Sequence, residues 1–84
     1  SLKPAYPNPF NPVTTINYAI PHDANVVIKA FDVRGKEVAE LVNGQIDEGY
    51  HEVVWDASKL SSGMYFVRMT SGDYKAVQKT IFVK

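Results

Sequence analysis

The sequence predicts an all-β protein: an immunoglobulin-like antiparallel β-sandwich of six to seven strands with no substantial helix. Three observations predict it. Apolar and polar residues alternate with a period of two in several short runs, most clearly in residues 25–42, NVVIKAFDVRGKEVAELV. Turn-forming residues separate those runs at roughly 8–12-residue spacing, as in a two-sheet sandwich. No segment of about ten residues or more carries a helical period.

At 84 residues the chain is a single domain, spanning residues 1–84. A domain of this size buries only ~60–65% of its unfolded surface, so its core must be efficient. The material is present, with 45% hydrophobic, 12% aromatic and 21% charged residues. Cysteine is absent, which excludes disulfides and thiolate metal sites but leaves the compartment open. Nine basic residues balance nine acidic ones, so the basic excess expected of a nucleic-acid binder is missing. No apolar run approaches the ~20 residues of a membrane span. The chain begins with Ser1 and shows no signal peptide there, so we expect a piece of a longer protein.

Residues 1–12, SLKPAYPNPFNP, hold four of the five prolines. Pro7, Pro9 and Pro12 forbid helix and most ladder pairing, and push Asn8 and Asn11 toward extended conformations. Tyr6 and Phe10 can pin this opening segment to a core as a cap over a sheet edge. Residues 13–20 form a strand with Thr14, Ile16, Tyr18 and Ile20 on one face. Pro21-His22-Asp23-Ala24 is the turn out of it. In the central run, Val26, Ile28 and Ala30 share one parity and Lys29 and Phe31 the other. Asp32-Val33-Arg34-Gly35 then closes a hairpin: the Asp32 carboxylate accepts backbone N–H groups and Gly35 supplies a positive φ. Residues 36–42 run back antiparallel.

Asn43-Gly44 is a strong turn pair, with residues 45–48 a short edge strand or loop. In 49–56, His51, Val53 and Trp55 alternate with Tyr50, Glu52 and Val54, and Trp55 is the expected core aromatic. Asp56 is placed to cap a short helical turn over 57–60, broken by Ser61-Ser62-Gly63. In the strand 63–70, Tyr65, Val67 and Met69 face in, and Arg68 and Thr70 face out. Ser71-Gly72-Asp73 turns the chain into a long last strand, 74–84. Its interspersed lysines protect an edge.

Little here suits catalysis. His22 and His51 lie far apart, and Ser58, Ser61, Ser62 and Ser71 sit in no nucleophile-elbow pattern. His51, beside Val53 and Trp55, fits a hydrogen-bonded structural histidine. Phosphate loops are absent. Asp23, Asp47, Glu48, Asp56 and Asp73 fall in turns without ligand spacing, so we expect no catalytic residues, no metal and no cofactor. Carbohydrate binding is the alternative on this architecture, with Tyr50, Trp55, Phe66, Tyr74 and Phe82 as candidate stacking rings. A structural accessory module is the other.

Four motifs, in order, carry a resemblance over nearly the whole chain: YPNPFNP followed by TTINYAIP, VVIKAFDVRGKEVAELV, GYHEVVWDASKLSSGMYFVRM, and KTIFVK. Together they resemble the type A C-terminal sorting domains of the type IX secretion system. That family has a strand running into an Asp-x-x-Gly-(Arg/Lys)-x-Val turn, here at Asp32 and Gly35, and a Gly-x-Tyr element, here at Gly63 and Tyr65. A similar pattern marks the immunoglobulin-like domain of the flagellar hook-capping protein, but NPFNP and the Lys84 end favour the sorting domain.

The resemblance implies a non-catalytic secretion label on an upstream enzyme or adhesin. Its partners would be the outer-membrane translocon and a sortase-type peptidase. It would pass through the periplasm to the cell surface or medium, and then be cleaved or anchored. On that reading Gly63, Tyr65, Lys79, Val83 and Lys84 are the expected recognition positions. Pro7, Asn8, Pro9, Phe10, Asp32, Gly35 and Trp55 would maintain the shape.

Overall fold

The alternating runs become six strands in a computed structural model that describes all 84 residues. They are β1 Val13–Ile20, β2 Ala24–Phe31, β3 Glu37–Ile46, β4 Gly49–Asp56, β5 Gly63–Ser71 and β6 Tyr74–Phe82. Every strand pairing is antiparallel. β1 and β4 form one sheet; β3, β2, β5 and β6, in that order, form the other. The two sheets pack as a sandwich.

The period of two decides what lies between them. Ile16, Tyr18 and Ile20 of β1, Val26, Ile28 and Ala30 of β2, and Tyr65, Val67 and Met69 of β5 are buried on one shared core. Trp55 and Phe82 join them from β4 and β6. Fully burying an aliphatic side chain such as Ile28 or Val67 contributes roughly 1.5–3 kcal/mol, so this face supplies the main driving force.

The hairpin between β2 and β3 turns where expected. Asp32 Oδ1 accepts the N–H groups of Arg34 and Lys36 at 2.9 and 3.0 Å, and Gly35 sits at φ +86°. Two register shifts, at Ile28/Lys29 and Ala30/Phe31, kink this pair. Lys29 lies 3.0 Å from Glu37 and 3.8 Å from Glu40 across the same ladder.

Two local expectations need correction. Asn43-Gly44 is not a turn: β3 continues to Ile46, and Gly44 pairs with Val26. The reversal comes instead at Asp47-Glu48, where Asp23 Oδ1 accepts the Glu48 N–H at 2.8 Å. The short turn expected over 57–60 is present, with Asp56 at its start. Its ends are held by Leu60 N–H donating to the Ala57 carbonyl and by Asp56 Oδ1 accepting the Ser58 N–H. The last strand stops at Phe82, leaving Val83 and Lys84 outside it.

The opening segment spans both sheets. Lys3 and Tyr6 N–H groups donate to the Asn17 and Thr15 carbonyls, so residues 1–6 lie along the free edge of β1. The chain then crosses to the other sheet, and Phe10 pairs in parallel with Phe82 at the end of β6. Thr14, fully buried, donates its hydroxyl to the Pro7 carbonyl at 2.7 Å and fixes the crossing point.

Candidate recognition site

Four of the five expected recognition positions are exposed on or just beyond the β5–β6 pair. Gly63 pairs with Phe82, where β5 begins and β6 ends. Val83 and Lys84 follow directly, and the Lys84 N–H donates to Ser62 Oγ at 3.2 Å. Lys79 pairs with Phe66 three residues before Phe82. Gly63, Lys79, Val83 and Lys84 are all exposed. Gly63 has φ +153° and open space where a Cβ would stand, so conformation rather than crowding selects glycine there.

Tyr65 is different. It is buried, its hydroxyl donates to the Ser61 carbonyl at 2.6 Å, and its ring meets Trp55 edge-on at 5.8 Å. Thr80 donates its own hydroxyl to the Tyr65 carbonyl. Tyr65 therefore ties the 61–63 loop to the core. Trp55 lies in the core, and Asp32 and Gly35 in the β2–β3 turn.

The sequence suggested a free edge along β6. The structure places residues 8–10 against its last part. Phe10 N–H donates to the Ile81 carbonyl and Val83 N–H donates to the Phe10 carbonyl, both at 2.9 Å. Asn8, held between Pro7 and Pro9, uses its side-chain amide as a substitute backbone. Nδ2 donates to the Lys79 carbonyl and Oδ1 accepts the Ile81 N–H, each at 3.0 Å. Phe10 itself is buried against Trp55 and Phe82, with ring centroids 5.3 Å away in each case. Only the stretch around Lys75 and Val77 keeps its outer edge unpaired.

Sequence reasoning identified Phe10 but missed the Asn8 clamp and a second one. Gln78 accepts the Ala5 N–H at 2.7 Å and donates to the Lys3 carbonyl at 2.8 Å. A polar amide between two prolines was a usable signal for the first. Nothing local marks the second.

The remaining candidates disperse. Trp55 and Phe82 are core residues, so they cannot stack on a sugar. Tyr50 is on β4, Phe66 on the outer face of the larger sheet, and the Tyr74 hydroxyl accepts the Leu2 N–H. No aromatic platform forms. His51 Nε2 lies 2.6 Å from the Asp47 carbonyl and its ring stacks on Tyr18. His22 Nδ1 lies 3.3 Å from the Asp23 carbonyl. No three His, Asp or Glu side chains gather as metal ligands would. Asp56 is held below the usual carboxylate range, chiefly by the Ser58 backbone N–H, then by the Ser58 hydroxyl and by nearby Lys59. Burial pushes the Tyr18 hydroxyl up. Both effects are structural.

Against known proteins, the family model described as a secretion system C-terminal sorting domain matches residues 4–84. No curated protein matches the chain.

Proposed function

Because the chain belongs to the secretion system C-terminal sorting domain family, we propose that its exposed β5–β6 end is the label by which the type IX translocon selects its parent protein. The family match over residues 4–84 carries this reading. Gly63, Lys79, Val83 and Lys84 are all exposed on or beside the β5–β6 pair, which supports a contact there. The core beneath them is held by Tyr65 and Phe10, so the partner meets a preformed surface. In this scheme the domain does no chemistry. It crosses the periplasm folded, engages the outer-membrane translocon, and a sortase-type peptidase then separates or anchors the upstream cargo.

The test is an export assay on a reporter carrying a Sec signal and residues 1–84, in a host with the type IX system. Deleting residues 79–84 would be a poor control, since it removes the buried Phe82 and the partners of Phe10. Surface changes serve better. Lys79→Glu with Lys84→Glu should leave the melting temperature unchanged and hold the reporter in the periplasm. Export equal to that of the unaltered fusion would exclude this end as the recognised part. Failure of the unaltered fusion, in cells that export their own cargo, would remove the sorting role itself.

A further inference from the structure

We propose that the outer face of the larger sheet, centred on Phe31, Phe66 and Arg68, docks a protein partner that presents an apolar side chain beside a carboxylate. The inference rests on the sorting role and adds to it a second contact surface, away from the chain end. The first observation is shape. Phe31, Phe66, Arg68 and Val77, together with Asp32, Val33 and Gly35 of the turn, line an open depression of about 340 Å³, in which the Asp32 carboxylate is engaged by the Arg34 and Lys36 N–H groups and makes no ion pair with Arg68. Val33 and Val77 are 67% and 58% exposed. Exposed apolar groups that share one concave surface mark an interaction site more than the same groups scattered singly.

The second observation is Arg68. Its guanidinium carbon lies 4.5 Å above the Phe31 ring centroid and forms no ion pair. Stacking fixes the plane of the guanidinium while leaving its N–H fork for a carboxylate. The third is charge placement. A zero net charge conceals a separation: Glu37, Glu40, Asp47, Glu48, Glu52 and Asp56 all lie between residues 37 and 56, with no Lys or Arg among them. From Gly63 onward the balance reverses, with Arg68, Lys75, Lys79 and Lys84 against Asp73 alone. The only ion pairs in the protein belong to Lys29, so these cations await an acidic complement.

The occupant is a protein surface rather than a lipid one. Both phenylalanines are half-buried in the sheet and Phe31 lies beneath Arg68, so neither ring can enter a bilayer. The registers also align Phe31, Phe66 and Lys79 across β2, β5 and β6. The depression therefore continues into the exposed end already described, and one partner can cover both.

The experiment places Arg68→Glu, Arg68→Lys, Val77→Asp and Val54→Asp in the full chain behind the same exported reporter. Val54 is 59% exposed, on the smaller sheet, and serves as the control. Arg68→Glu and Val77→Asp should each lower the exported fraction by about tenfold or more, with melting temperatures close to that of the unaltered chain. Arg68→Lys should retain partial export and Val54→Asp full export. Normal export of both Arg68→Glu and Val77→Asp would overturn this inference and leave the sorting role standing. An equal loss with Val54→Asp would overturn it too, since the effect would not be specific to this face. If the unaltered chain stays in the periplasm, both readings fall. Binding to anionic lipid vesicles, or concentration-dependent dimerisation, that Arg68→Glu abolishes would reassign the face and refute a protein partner.

Discussion

Replacing Phe10 by alanine removes a ring that is 2% exposed and wedged between Trp55 and Phe82. A Phe→Ala change in a packed site costs ~3–5 kcal/mol. At ~0.05–0.15 kcal/mol per residue, a chain of 84 residues has a total stability of only ~4–13 kcal/mol. The substitution therefore removes between about a quarter and all of it. For a domain this small, each kcal/mol moves the melting temperature by ~4–8 °C, so the fall should be at least ~12 °C. Trp55 is the sole tryptophan and lies against Phe10, so its emission follows the change directly. Urea melts monitored by that emission should show a lower midpoint with an unchanged slope. A fall below about 4 °C, equivalent to ~1 kcal/mol, would refute the claim that the opening segment is part of the core.

Two further predictions concern the backbone and pH. Gly35→Ala should cost about 1–2 kcal/mol, because φ +86° disfavours any side chain, whereas Gly44→Ala in the extended β3 should be neutral or slightly stabilising; paired melting curves would reveal the contrast. Asp56 has a lower pKa folded than unfolded, so its contribution is complete above its unfolded value, ~3.9, and is lost as pH falls through the folded one. An NMR titration should put its midpoint below that of Asp56 in the urea-unfolded chain, and Asp56→Asn should flatten the acid end of the stability profile.

Much of the fold was legible because alternation is a local property. The inward faces of β1, β2 and β5 could be read residue by residue, and Asp32 with Gly35 announced a turn through their own chemistry. Asn43-Gly44 misled for a reason that is not local. The 32–35 turn had already fixed the register of β3 against β2, and β2 is long enough to carry the ladder to Ile46. Pairing across many residues outweighed a two-residue preference. The paired edge of β6 escaped notice in the same way, because Asn8 and Lys79 lie 71 positions apart and the bond uses a side chain in place of a ladder. Tyr65 was legible as a core residue by parity, yet its place in a family motif also made it a recognition candidate. Burial supports the first role.

The parallel pairing of Phe10 with Phe82 also has a mechanical meaning. Two parallel strands, one leaving toward the chain's beginning and the other toward its end, lie lengthwise along any tension applied between those ends. The Phe10 and Asn8 bonds to residues 79–83 are then pulled in shear and bear the load together, whereas a peeling pull would open them one at a time.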